Sequence, residues 1–188
     1  MTKNGKEIKK QLNELILIGK FILYDEAITK KRISEDQQRL VEKAEGFKEY
    51  KKTSINSKTS YQKWFTKAYN VVKTLLPDRH QEFYLLYKDQ KRKSNDITFL
   101  TYTISDYFLG LVITKGWDKV EVVNPFTAFY SKTEIQITIL ESCYDLVDSK
   151  LMDIQGVLQY ELFENELHAA SDLMNKKITI EPLVHWPE

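Results

Sequence analysis

The chain has 188 residues, of which 42% are hydrophobic and 29% are charged, values typical of a globular protein that can bury a core. Its single cysteine, Cys143, excludes an internal disulfide and indicates a reducing compartment. No apolar run reaches the roughly 20 residues that span a bilayer, and the first residues lead into a charged amphipathic helix instead of a signal peptide. We therefore expect a cytoplasmic protein that does not contact a membrane.

The net charge of +1 conceals an uneven distribution of charge along the chain. Residues 1–120 carry 24 Lys and Arg against 15 Asp and Glu, whereas residues 121–188 carry 4 against 12. Either the basic and acidic regions pack together and neutralise each other, or the basic region faces nucleic acid or an acidic partner. We favour mutual neutralisation.

Residues 6–31 have the pattern of a long first helix, because apolar and small residues recur there at steps of three and four. These residues are Ile8, Leu12, Leu15, Ile16, Gly19, Ile22, Leu23 and Ala27. Ser34 and Gln37 then have the spacing of a capping box, which predicts a second, more polar helix to about Lys52. The polar residues 51–60 predict a linker.

Aromatic residues are concentrated in the next segment, where 11 of the chain's 23 lie between Tyr61 and Phe108. The spacing predicts a helix that begins after Thr59 or Ser60 as its N-cap. Its stripe consists of Tyr61, Trp64, Phe65, Ala68, Tyr69, Val72, Leu75 and Leu76. Pro77 ends this helix, and the next one begins directly after it. The face of that next helix carries Phe83, Leu86 and Tyr87.

The segment after these helices has weaker signals. Residues 88–96 are polar and charged and predict a loop, and residues 98–103 have extended propensity. Residues 105–113 fit either a helix or a buried strand, because periodicity alone does not separate the two for a short apolar run. We favour a helix with Thr103 or Ser105 as its N-cap.

The last third begins with a predicted turn at residues 115–118 and a short extended stretch at residues 120–125. A long helix is expected from there to about Gln159. Its apolar seam consists of Ile135, Ile139, Leu146, Leu151, Ile154 and Leu158. A final helix presents an apolar face made of Phe163, Leu167, Ala170 and Met174.

These elements predict a mainly α fold, an irregular multi-helix bundle with one long C-terminal helix and little or no β structure. The scarcity of Gly (6) and Pro (4) supports long helices over a turn-rich β fold. We divide the chain into an N-terminal helical pair at residues 1–58, an aromatic-rich helical core with the long helix at residues 59–177, and a tail at residues 178–188.

Motifs for chemistry are missing from the sequence. It contains no Gly-rich phosphate loop, no Cys-x-x-Cys, no His-Glu-x-x-His and no serine nucleophile elbow. Glu164 and His168 are four residues apart on one helical face, but a carboxylate-bridged bundle site requires a repeated Glu-x-x-His pair. Residues 78–80 include types that occur in active sites, but the start of a helix accounts for them, and packing on the long helix accounts for Cys143. We expect no enzymatic activity, no metal and no cofactor.

Two groups of residues are candidates for interaction. Lys88, Lys91, Arg92 and Lys93 form a basic loop beside aromatic residues, which suits contacts to phosphate, although a solvated loop explains it more simply. Tyr61 and Trp64, with Tyr69, suit a stacking or partner surface. Their helical spacing favours the core instead.

Residues 60–115 and 151–177 resemble a family of uncharacterised bacterial proteins. The matching strings are Ser60-Tyr-Gln-Lys-Trp64, Leu75-Leu-Pro-Asp-Arg79, Tyr102-Thr-Ile-Ser-Asp-Tyr107, Gly110-Leu111, Asp153-Ile154, Leu162-Phe163, Glu166-Leu167 and Ala169-Ala170. Longer members of this family continue into a helical domain similar to HEPN domains, whose nucleases carry an Arg-x4-6-His motif. No arginine of this chain has a histidine at that spacing, so the resemblance implies no catalytic residue here.

The resemblance also suggests an origin for residues 181–188, which interrupt the last helical pattern. Family members follow the equivalent of Lys177 with two apolar residues and then a string like Arg-Ala-Ala-Gly-Ala-Leu-Ala-Gly-Val. Suitable codons for residues 180–188 encode that string in another reading frame. We expect the tail to be an out-of-frame product and the chain to be the truncated N-terminal part of a longer protein.

The sequence leaves two functional classes open. The first is a non-enzymatic helical interaction or scaffold module that binds a protein partner or forms a homodimer. The second is an RNA-associated component of a HEPN-type toxin or antiphage defence system, which only the resemblance suggests. No small-molecule substrate is evident from the residues.

Overall fold

The computed structural model describes residues 3–93 and 96–147, which belong to one compact unit. These ranges contain seven α-helices and one two-stranded antiparallel sheet. The helices are α1 (Lys3–Thr29), α2 (Glu35–Lys43), α3 (Phe47–Thr53), α4 (Ser57–Leu75), α5 (His80–Tyr87), α6 (Ile104–Phe108) and α7 (125–147). The prediction of a mainly α fold with a long C-terminal helix and little β structure is confirmed. The predicted boundary at residue 58 lies inside the compact unit.

Several predictions concern residues outside the described ranges. They are the continuation of the long helix to Gln159, the final helix with Phe163, the pair of Glu164 and His168, and the tail at residues 178–188. No helix of the described residues has both the length and the apolar character needed to cross a membrane.

The centre of the fold is the contact between α1 and α4. Trp64 lies almost fully buried against α1, and its indole N–H donates a hydrogen bond of 2.8 Å to the carbonyl of Leu15. Gly19 allows this close approach, because a Cβ there would lie 2.9 Å from the Trp64 ring. The predicted apolar face of α1 is confirmed, since Leu12, Leu15, Ile16, Ile22, Leu23 and Ala27 are all buried.

The single polar helix predicted after Ser34 is wrong in length, although its capping box is confirmed. Ser34 and Gln37 exchange the expected cap hydrogen bonds at the start of α2. The chain then breaks before Gly46, whose φ of 84° lies in the left-handed region, and Phe47 begins α3. A turn at this point carries Phe47 into the core against Phe21, with ring centroids 5.3 Å apart.

The linker predicted at residues 51–60 is shorter in the structure. Helix α3 continues to Thr53, and α4 begins at Ser57, which leaves three residues between them. The N-cap of α4 is Asn56, not Thr59 or Ser60, and its side chain accepts a 2.8 Å hydrogen bond from the amide of Thr59. An asparagine cap satisfies an orphan amide as well as a serine or threonine cap does.

Residues 105–113 are divided between a helix and an extended segment. Thr103 caps α6, as predicted, and forms a capping box with Asp106. The helix ends at Phe108, and Gly110 takes a left-handed φ of 73° that turns the chain into an extended run. The extended prediction for residues 98–103 is wrong at residues 99–101, which form a turn held by a bond from Thr101 Oγ1 to the carbonyl of Asp96.

The extended run leads into a β-hairpin at the predicted turn. Strand β1 (Thr114–Lys115) pairs antiparallel with β2 (Val120–Glu121), and residues 116–119 connect them. Gly116 at φ 80° and Lys119 at φ 49° supply the left-handed conformations of this connection. Both strands are exposed along their length.

Helix α7 packs against the other helices with a face that differs from the predicted seam. Ile139 is fully buried as expected, but Ile135 is 42% exposed and the neighbouring Gln136 is fully buried. The Tyr61 hydroxyl donates to Gln136 Oε1 at 2.8 Å, and Gln136 Nε2 donates to the carbonyl of Phe83 at 2.9 Å. Gln136 therefore joins α7 to both α4 and α5.

Candidate interaction surface

Tyr61 and Trp64 lie in the core and not on a partner surface. Tyr61 is fully buried and Trp64 is 2% exposed. The hydroxyl of Tyr61 and the indole N–H of Trp64 are both used in hydrogen bonds within the protein. Neither ring is accessible for stacking in this fold, so the core interpretation of the aromatic stripe is the one that the burial supports.

The basic loop separates into one structural arginine and three exposed lysines. The Arg92 guanidinium is 12% exposed, forms an ion pair with Asp106, and donates to the carbonyl of Thr101. Lys88, Lys91 and Lys93 are exposed. Arg92 therefore attaches the loop to α6, and only the lysines are free to meet a phosphate.

Asp106 is the centre of this attachment. Burial alone raises the pKa of its carboxyl, but hydrogen bonds from Arg92 and Thr103 outweigh burial and place the pKa below its ordinary 3.8. One carboxylate oxygen accepts from Arg92, and the other accepts from the amide and the hydroxyl of Thr103 at 2.7 and 2.8 Å. Asp106 is thus ionised at neutral pH and has a structural role.

The remaining residues that could have taken part in catalysis or metal binding, Arg79, His80 and Cys143, also have structural surroundings. Arg79 makes a two-pronged ion pair with Glu82 at 2.9 and 3.0 Å, and His80 hydrogen-bonds the carbonyl of Pro77. Cys143 is fully buried. Within residues 3–93 and 96–147, no group of three His, Cys, Asp or Glu side chains is placed to hold a metal ion.

The hairpin exposes three large apolar side chains within six residues. Trp117 is fully exposed at the tip, Val120 on β2 is 60% exposed, and Val122 directly after β2 is 48% exposed. We call these three residues the hairpin surface. Single exposed apolar residues are ordinary, but a fully exposed tryptophan with two further exposed apolar residues close in sequence makes the hairpin a candidate interaction site.

The base of the hairpin is fixed, so its tip is presented in a defined position. The Val122 amide donates to the carbonyl of Ile113 at 2.9 Å, and the Tyr102 hydroxyl donates to the carbonyl of Leu111 at 2.7 Å. Tyr102 also packs in a small cluster with the buried side chains of Val123 and Ala128. Because the described sheet has two strands only, the outer edges of both carry unpaired peptide groups.

Sequence reasoning placed a turn at the hairpin but did not identify it as a surface. The available signal was Trp117 itself, a large apolar residue between Gly116 and Asp118 where no helical or strand period buries it. No protein-family model, curated protein or solved structure matches the chain. Function therefore has to be argued from the surface and its chemistry.

Proposed function

We propose that the chain is a non-enzymatic helical interaction module that associates with a second copy of itself through the hairpin surface. The observation that carries this proposal is the full exposure of Trp117 at the tip of an anchored hairpin. A helical bundle of this kind serves as a scaffold that holds the hairpin in place. The proposed setting is the cytoplasm, where a lone thiol such as Cys143 stays reduced.

The size of the apolar surface suits a weak and specific contact. A tryptophan buries about 150–250 Å² in an interface, which at about 25 cal/mol per Å² contributes about 4–6 kcal/mol. Two copies contribute two such side chains, together with Val120 and Val122. The free energy gained by burying these side chains exceeds the lower estimates of the free-energy cost of bringing two molecules together, about 4 kcal/mol. It does not exceed the higher estimates of that cost. We therefore expect weak association, with a dissociation constant between the millimolar and the micromolar range.

Two features favour a second copy as the partner. The free edge of a hairpin strand pairs with the same edge of another copy around a two-fold axis, which closes the assembly at a dimer. The charges of the hairpin also permit this approach, because Lys115 and Lys119 are balanced by Asp118 and Glu121. Two copies meet without net repulsion.

Sedimentation equilibrium over about 1 to 500 µM protein tests this proposal. We expect a concentration-dependent dimer, and we expect Trp117→Ser to weaken dimerisation at least about tenfold because it removes most of the buried apolar area. Ile55→Ser is the matched control, since Ile55 is 76% exposed between α3 and α4. A monomer at every concentration, or equal weakening by both substitutions, contradicts self-association through the hairpin.

The alternative is an RNA-associated component of a HEPN-type toxin or defence system. The three exposed lysines of the basic loop support it, together with Phe99, a 42% exposed aromatic residue in the turn that follows. Fluorescence anisotropy with a labelled single-stranded RNA, at low and high salt, distinguishes the two. Binding that falls steeply as the salt concentration rises favours the RNA-associated function. The Lys91→Gln/Lys93→Gln double variant should then lose binding, whereas Lys67→Gln should retain it. Arg92 is unsuitable for this test because it has a structural partner.

A further inference from the structure

A cavity of about 490 Å³ lies at the base of the hairpin, where the end of α1, the start of α4 and the end of α6 meet. Its apolar walls come from the end of α6 and from the chain on both sides of the hairpin. They consist of Phe108, Leu111, Val112 and Pro125. Pockets that take organic groups have volumes of about 300–1,000 Å³, so an indole ring fits in this one.

The tryptophan of the hairpin tip does not fill the cavity of its own chain. Trp117 is fully exposed. Val112, in the cavity wall, precedes β1, and Trp117 follows it. The cavity and the tryptophan therefore lie at opposite ends of the same strand.

The free edge of β1 presents the peptide groups of Thr114. The Val122 amide donates to the Ile113 carbonyl, and Lys115 is paired with Val120. Hydrogen-bonded and non-hydrogen-bonded pairs alternate along an antiparallel ladder. The peptide groups of Ile113 and Lys115 therefore face β2, and the N–H and C=O of Thr114 point away from it.

A two-fold axis at Thr114 pairs these groups with the same groups of a second copy. The two β1 strands then run antiparallel, so the tip of each hairpin lies beside the base of the other. Trp117 and Leu111 are each three residues from Thr114, in opposite directions along the chain. Trp117 of one copy therefore lies opposite Leu111 in the cavity wall of the other.

The charges of the tip and the cavity are complementary. Lys58 lines the cavity, and Asp118 directly follows Trp117. Neither Lys58 nor Asp118 forms an ion pair within the described part of the chain. The carboxylate of the cavity, Glu26, lies 3.8 Å from Lys30 Nζ, which offsets its charge. Lys58 is thus the cation available to Asp118 of a second copy.

The cavity also supplies area that the hairpin surface lacks. Two tryptophans bury about 300–500 Å² of their own surface, well below the roughly 1,200 Å² of a stable interface. Two cavities that enclose these rings lose a similar area, which brings the total to about 600–1,000 Å². Contacts between the paired β1 strands and the hairpin valines bring the interface close to the lower limit.

We propose that Trp117 of each copy inserts into this cavity of the other, around a two-fold axis at Thr114. The inference rests on the self-association proposed above and names the site that receives the tryptophan. Asp118 then pairs with Lys58 at the cavity, and Glu26 is the acceptor for the indole N–H.

Disulfide cross-linking of Thr114→Cys tests the two-fold register. Facing residues of a hydrogen-bonded pair have Cα atoms about 5.5 Å apart, which a disulfide can bridge. We expect mild oxidation to link Thr114→Cys dimers at least about tenfold faster than Glu121→Cys, the matched exposed position on β2. Cys143 is buried and does not compete. Equal rates, or faster linking of Glu121→Cys, overturn the pairing through β1.

Sedimentation equilibrium of Val112→Asp tests the cavity. Val112 is 55% exposed, so the substitution leaves the core intact, which circular dichroism checks. We expect dimerisation to weaken at least about tenfold, because a carboxylate in the wall opposes burial of the indole. Leu100→Asp is the matched control, since Leu100 is 82% exposed and lies outside the cavity wall. Equal weakening by both substitutions overturns the insertion.

A charge exchange tests the contact between the tip and the cavity. Asp118→Lys should weaken dimerisation at least about threefold, and the Lys58→Glu/Asp118→Lys double variant should recover most of the loss. A dimer that Trp117→Ser weakens but that Val112→Asp and Asp118→Lys leave unchanged overturns the insertion and leaves self-association through the hairpin standing. A monomer at every concentration overturns both.

Discussion

At the scale of single residues, the hydrogen bond between Tyr61 and Gln136 makes a testable contribution to stability. Burial raises the pKa of the Tyr61 hydroxyl well above its ordinary 10.0, so the hydroxyl stays protonated and donates. Tyr61→Phe leaves the buried Gln136 oxygen without this donor. We expect a loss of about 1–3 kcal/mol in the free energy of unfolding, measured by urea denaturation.

Tyr24→Phe is the control for this change, because Tyr24 is 36% exposed on α1. Its effect should stay within about 0.5 kcal/mol. Equal stabilities of the wild type and the Tyr61→Phe variant would show that the buried hydrogen bond contributes nothing.

Gln136 also shows which residue contacts the sequence does not reveal. A glutamine between Ile135 and Ile137 looks like a polar position on an otherwise apolar helix, and the predicted seam included Ile135 instead. The partners of Gln136 are Tyr61 and Phe83, which lie 75 and 53 residues away. Such a contact depends on how three helices meet, and no local pattern encodes it.

Asp106 is the residue whose ionisation should make stability depend on pH. Its pKa is lower in the folded protein than its ordinary 3.8, so its contribution is fully present above that pH and is lost as the pH falls through the folded pKa. At pH 7, Asp106→Asn removes the anion that pairs with the nearly buried Arg92. We expect the free energy of unfolding to fall by about 3 kcal/mol. Below pH 3.8 the difference from the wild type should shrink.

Urea denaturation at pH 7, 5 and 3 measures this dependence, with Asp36→Asn as the control because Asp36 is 91% exposed. A difference between Asp106→Asn and the wild type that stays constant from pH 7 to pH 3 would contradict the role of the carboxylate. The capping half of this site was predictable from the three-residue spacing of Thr103 and Asp106. The pairing with Arg92, 14 residues away, was not.

At the scale of whole helices, α2 and α4 have side-chain N-caps of similar kind but differ in how much they bury. Helix α4 buries seven residues, whereas α2 buries none. Asn56→Ala should therefore lower the global free energy of unfolding by about 1 kcal/mol, the usual value of an N-cap. Ser34→Ala should leave that global value unchanged and only increase amide exchange in α2.

Urea denaturation and native-state hydrogen exchange, applied to both variants, separate the two effects. A global loss from Ser34→Ala equal to that from Asn56→Ala would show that α2 unfolds together with the core. The break between α2 and α3 explains why this contrast was not visible in the sequence. Polar residues run through both helices, and only the position of Phe47 against Phe21 shows where the core begins.

At the scale of the whole molecule, one ion pair joins the basic part of the chain to the described part of its acidic region. Lys20 on α1 pairs with Glu141 on α7 at 2.7 Å, and Lys9 lies 4.8 Å from the ring centre of Tyr144. Both contacts are on the surface, so each contributes at most about 1 kcal/mol. Apolar packing among α1, α4 and α7 therefore dominates their association, and charge complementarity assists it.

Cys143 reports on this packing because it is the only cysteine of the chain and lies fully buried on α7. Burial raises the pKa of its thiol to about 11, with a smaller opposing effect from Arg79, so little thiolate forms near neutral pH. We expect a thiol reagent at pH 8 to label the folded protein at least about 1,000-fold more slowly than the unfolded chain. The free energy calculated from this protection should equal that from urea unfolding if α7 leaves the core only when the whole bundle opens. Labelling in native buffer at the unfolded rate would instead show that α7 separates from α1 and α4 while the rest stays folded.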